Sequence, residues 1–176
     1  RGGVRGVKGV KFMQMTVVLP YAVPGVIIAL SMILAFSQPV AGVRLYNTIW
    51  ILLIAYIARF MNLGYNNISG AISQVDTSLE EAARISGASQ LRAFKDVMLP
   101  LLKSSLISSF FLVVAPTISE LSLSSLLWSV GNETIGTIVF SAKEEGRILL
   151  TAAIAIILII LVVVINLLVN SQTDKD

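Results

Sequence analysis

The sequence predicts an all-α membrane protein, a bundle of several bilayer-crossing helices, on three observations. Of its 176 residues, 56% are hydrophobic and 13% charged, about half the charge of a soluble domain. Mean hydropathy is +0.86. The apolar residues gather in long blocks instead of the short periodic stripes of a water-soluble core.

Four blocks approach the roughly 20 apolar residues needed to cross the hydrocarbon core. They are residues 16–37, 45–61, 101–118 and 148–169. The last is interrupted only by Thr151 and Asn166. Pro20 and Pro24, followed by Gly25, fall near the start of the first block. There they read as helix-entry chemistry or as a hinge. The chain starts at Arg1 in a basic stretch and reads as a piece of a longer protein. Its first apolar run is too long for a signal peptide.

Charge orients the blocks. With the N-terminus on the cytoplasmic side, Arg44, Lys143 and Arg147 face outward. The other ten of the 13 basic residues, Arg59 among them, face inward, a clear positive-inside bias. Residues 62–100 then form a cytoplasmic loop and residues 117–147 an outer segment. The net charge of +3 fits these membrane flanks and predicts no nucleic-acid partner.

Residue types exclude further chemistry. With no Cys and no His, disulfides, Cys/His zinc sites, thiol nucleophiles and imidazole acid–base catalysis are ruled out. No phosphate-cradling G-x-x-x-x-G-K-[ST] run occurs, and no nucleophile elbow, so no catalytic residue, metal ligand or cofactor is expected in this chain. No ionisable residue is expected at mid-membrane, where a secondary transporter or channel commonly carries one.

The inner loop is too regular for a linker. Thr77 with Glu80, or Ser78 with Glu81, has capping-box spacing, predicting a helix to about Ser86 that Gly87 ends. Leu91, Phe94, Val97 or Met98, and Leu101 then recur at helical spacing and lead through Leu99-Pro100 into the third block. The loop should expose small and acidic groups on one side and apolar groups on the other. Ser104, Ser105, Ser108 and Ser109 form a polar face suited to helix packing or to lining a hydrated path. Glu120 and Trp128 open the outer segment. Glu120 reads as a solvated carboxylate, as a contact for a delivering protein or as the exit of the path, and Trp128 as an aromatic anchor.

Glu81-Ala82-Ala83, then Gly87, Val97 and Leu99-Pro100 at their intervals, resemble the EAA motif of binding-protein-dependent ABC importer permeases, with Val97 where the family usually has isoleucine. The Leu-Pro-Tyr-Ala-Val-Pro-Gly run of residues 19–25 is also similar to that family. The resemblance implies a type I importer bundle in the bacterial inner membrane, lacking one or two N-terminal helices here. It implies that Glu80, Glu81, Ala82 and Ala83 contact a separate ATPase, which uses ATP and Mg, that Gly87 allows the turn, and that Leu99-Pro100 joins loop to span. It further implies a second permease domain and an extracytoplasmic substrate-binding protein. Ser105, Ser109 and Glu120 are the candidate path residues. The stretch 119–146 resembles the ferric-iron type most closely, implying iron transport. Polyamine, phosphonate, thiamine and sulfate permeases share the framework.

Overall fold

The computed structural model describes residues 10–173; Arg1, Arg5, Lys8 and Lys175, which entered the charge count, lie outside them. Apart from an isolated Val40–Val43 bridge, the described residues form helices joined by turns.

Helix α1 covers Val10–Ala22 and α2 covers Gly25–Phe36. The two turn through 113° where they meet. Residues 16–37 are therefore not one straight helix. Val23 precedes a proline, which disfavours helical backbone there, and Pro24 takes φ −54 and ψ 138 with no N–H to give. The break thus falls inside the expected block, and Pro20 lies within α1 rather than at an entry.

Helix α3 runs Ile49–Gln74, 26 residues, or about 39 Å at 1.5 Å per residue. It continues through residues 62–74, which sequence polarity placed in the inner loop. The loop region then comprises α4 (Thr77–Ile85), α5 (Gln90–Ala93), a π-turn (Phe94–Met98) and α6 (Leu99–Leu101). Helix α7 covers Lys103–Ile118, α8 Ser124–Leu127, α9 Ile135–Glu144 and α10 Ile148–Thr173.

By length and composition α3 and α10 can each cross a bilayer, and four crossings result if each bent pair, α1 with α2 and residues 90–101 with α7, counts as one. The most apolar 18-residue window of α10, within Ile148–Leu168, has mean hydropathy 3.6, and only 6% of it is buried. Such a surface is stable only against lipid or another protein.

The apolar core lies at one end, where Ala29 of α2 meets Ile51, Leu52 and Ala55 of α3 and Leu123 and Leu127 around α8. Helices α3 and α7 pack along a second, polar seam.

Candidate functional site

Three places hold the residues that could carry function: the loop helices, the α3–α7 seam and the end of α7.

In the loop, Asp76 is the N-cap of α4. Its Oδ1 accepts from the Ser78 amide at 2.9 Å, so the cap falls one residue before the first expected capping box and two before the second, and Thr77 and Ser78 become the first helical positions. Glu80 lies in the first turn and Arg84 in the last, each favourable to the helix dipole. The end of α4 follows the expectation. Gly87 takes φ +89, the Gly87 amide donates to the Arg84 carbonyl at 3.0 Å and the Ala88 amide to the Ala83 carbonyl at 3.1 Å. This is the Schellman arrangement, which needs a left-handed residue where the chain turns back.

The second stripe is helical but not uniform. In an α-helix the Pro100 ring would collide with the carbonyl four residues back. The backbone instead widens, with the Leu99 amide donating to the Phe94 carbonyl five residues earlier. Residues 90–101 then meet α7 at 66°, so loop and span are joined through an angle at Leu102 and not by one straight rod. Leu102 itself is 4% exposed, which anchors the joint.

Helix α4 buries none of its residues fully. Glu81, Ala82, Leu99 and Pro100 are exposed, while Glu80 and Ala83 are half-buried. Around them Ile85, Leu91 and Phe94 stand 87%, 67% and 48% exposed. The loop therefore presents an acidic and small-residue edge beside an uncovered apolar surface.

Along the seam, Asn67 of α3 donates to the Ser109 hydroxyl at 2.9 Å and to the Ser105 carbonyl at 3.1 Å. Ser109 donates to the Ser105 carbonyl at 2.7 Å. Asn66 donates to Asn62 at 2.9 Å. Ser108 and Ser109 are buried and Ser105 is half-buried. Ser105 and Ser109 thus meet α3 through small residues and hydrogen bonds of the kind that close helix–helix contacts. It also explains why the asparagines do not end α3.

At the far end of α7, Glu120 is neither solvated nor alone. Its Oε2 lies 3.4 Å from Arg59 Nε, with the two side chains 10% and 19% exposed. Glu120 Oε1 accepts from the Leu123 amide at 3.0 Å, and the Ser124 hydroxyl donates to the Glu120 carbonyl at 2.7 Å. Tyr56 pairs with Ser124. Arg59 Nη1 donates to the Val23 carbonyl at 3.0 Å. Arg59 thus pairs with Glu120, about 22 Å along α3 from Gln74, although charge taken residue by residue assigns the two to opposite sides. It is also an ionisable residue well inside a span-length helix.

Trp128, 41% exposed, borders an open groove with Glu133, Thr137, Arg147 and Leu150. The described residues contain no group of three side chains fit to hold a metal ion.

The profile of the family described as "Binding-protein-dependent transport system inner membrane component" matches residues 3–174. Among curated proteins, a permease protein of Salmonella typhimurium named for 2-aminoethylphosphonate transport, PhnV, is 30% identical over 86% of this chain and 57% of its own length. The putrescine transport permease protein PotI of Escherichia coli is 29% identical over 82% of this chain and 51% of its own. The Fe(3+)-transport permease protein FbpB 2 of Haemophilus influenzae is 27% identical over 73% of this chain and 26% of its own. The chain thus spans just over half the length of the first of these relatives. A solved bacterial ABC transporter for import of alginate shares the fold, with TM-score 0.71 and 20% identity over 98% of this chain and 69% of that one.

Proposed function

Because the chain belongs to the family of binding-protein-dependent transport system inner membrane components, we propose that it is part of the membrane permease of an ATP-driven importer. The observation that carries the reading is the exposed helical loop of residues 77–101, with its Glu81-Ala82-Ala83 edge, its Gly87 turn and its covalent join to α7. A cytoplasmic ATPase that grips such a surface can move α7. In this reading the ATPase binds and hydrolyses ATP with Mg, a second permease domain covers part of the exposed bundle, and an extracytoplasmic binding protein delivers the solute. The loop and the N-terminus then face the cytoplasm.

The cargo is a small polar solute selected chiefly by the binding protein. Iron is one such solute, but the iron-named relative is no more similar than those named for phosphonate or putrescine, so the resemblance of residues 119–146 does not single it out. Glu120 does not stand free to meet the solute while Arg59 holds it.

The test is uptake by the full-length transporter. Gly87→Pro is incompatible with a positive φ, and Glu81→Lys reverses the charge at the exposed edge. Both are expected to abolish uptake while the protein stays in the membrane. Wild-type uptake by either would overturn the coupling role. Uptake that persists without ATP on a proton gradient would favour a secondary transporter, the reading to which a charged residue within α3 would otherwise lend weight.

A further inference from the structure

Arg59 reaches two discontinuities of the chain at once. At the α1–α2 break the Val23 carbonyl is left outside the helix ladder, since the Ile27 and Ile28 amides both donate to Pro24. Arg59 Nη1 supplies its donor at 3.0 Å. At the α7–α8 joint, Glu120 holds the turn through the Leu123 amide and faces Arg59 with its other oxygen. The fit is close. A Cβ built on Gly25, the first residue after the break, would lie 3.0 Å from Ser122 Cβ and 3.1 Å from Arg59 Nη1. Both joints therefore rest against one side chain of an unbroken helix.

That side chain is incompletely satisfied. Arg59 Nε is buried yet makes no hydrogen bond of acceptable geometry, although Oε2 is 3.4 Å away. Buried polar groups are nearly always bonded, and an exception calls for a reason. A charge pair set slightly apart can exchange partners more readily than a closed bidentate one.

We propose that Arg59 is a positioning pin whose hold on Glu120 keeps the α1–α2 bend sharp, and that release of Glu120 lets the bend open as α7 moves. The pin itself is independent of the transporter assignment. Its release by ATP rests on that reading, because α7 is the helix the loop would drive. Coupling of this kind needs a contact that differs between two states, and the carboxylate can leave Arg59 while keeping the Leu123 amide.

The experiment places nitroxide labels at Phe12→Cys and Leu34→Cys, on the two arms of the bend, 75% and 78% exposed. No cysteine in this stretch competes with them. The full-length transporter is measured in lipid nanodiscs with and without a non-hydrolysable ATP analogue. Glu120→Gln keeps an acceptor for Leu123 but removes the charge. Without nucleotide it is expected to raise the long-distance population by at least about five-fold. Arg59→Lys, which keeps the charge with a poorer donor set, should fall between that variant and the wild type. Identical distributions in Glu120→Gln and wild type would overturn the pin. A distance that responds to Glu120→Gln but never to nucleotide would overturn its release during transport and leave the permease reading untouched. If Glu120→Gln does not assemble, Arg59→Lys decides by the same comparison.

Discussion

The two ends of the α3–α7 pair are built in opposite ways. At the Gln74 end the loop helices are shaped by bonds between near neighbours: the Asp76 cap, the Gly87 turn and an exposed Arg92–Asp96 pair. Little of that end is buried, and Ile85 and Leu91 face outward. At the Arg59 end the bonds join residues far apart in the chain, and Tyr56, Arg59, Glu120 and Ser124 are at least half-buried. One end completes itself by tertiary contact. The other acquires its form locally and leaves its apolar surface to be covered by something else.

Substitutions at the two ends should therefore differ greatly in cost. Arg59→Leu leaves Glu120 without its counter-charge and the Val23 carbonyl without its donor. Loss of one partner from a buried pair typically costs about 3–5 kcal/mol, so the apparent thermal midpoint in detergent should fall sharply. Phe94→Ala on the loop, already 48% exposed, should barely move it. Equal effects would erase the distinction.

The seam between the two ends should respond at an intermediate level. Asn67→Leu removes both bonds from Asn67 to α7. Interhelical hydrogen bonds of this kind are worth about 1 kcal/mol. A modest drop in the same midpoint is expected, with the drop for Ser109→Ala not adding in full because the two residues share a bond. Full additivity would mean that the seam serines and Asn67 act separately.

The same division governs what could be read from the residues in advance. The start and stop of α4 depend on chemistry within about five positions, so the helix lies within two residues of the bounds its sequence predicts, and Gly87 ends it as expected. The length of α3 was missed, because Asn62, Asn66 and Asn67 look like loop polarity until Ser105 and Ser109 are brought beside them. Arg59 and Glu120 were placed on opposite sides, because a charge count treats each side chain alone and cannot see that the two neutralise each other. The break at Pro24 was within reach, since a residue preceding proline avoids helical backbone, but its sharp angle depends on contacts with α3 and α8. The family motif was legible for the same reason as α4. Its pattern is local.

The smallest effect tests the claim that the loop is held by its own neighbours. The Ser78 amide, bonded to the Asp76 carboxylate, holds that group below its ordinary value of 3.8. A carboxyl whose pKa is depressed on folding stabilises the folded form above its unfolded value and loses that contribution as pH falls through the folded one. Helix α4 should therefore be indifferent to pH above about 5 and begin to fray from its first turn below about 4. The change should be small, because water competes for a fully exposed carboxylate. It can be followed by the exchange rate of the Ser78 amide or by a mobility label at Leu79, which is 44% exposed in the first turn. Asp76→Asn keeps an acceptor for Ser78 but has no proton to gain, so its α4 should hold steady through the same range. Acid fraying that persists in the asparagine variant would show that the first turn depends on charges elsewhere, and the loop would then be less self-contained than its cap implies.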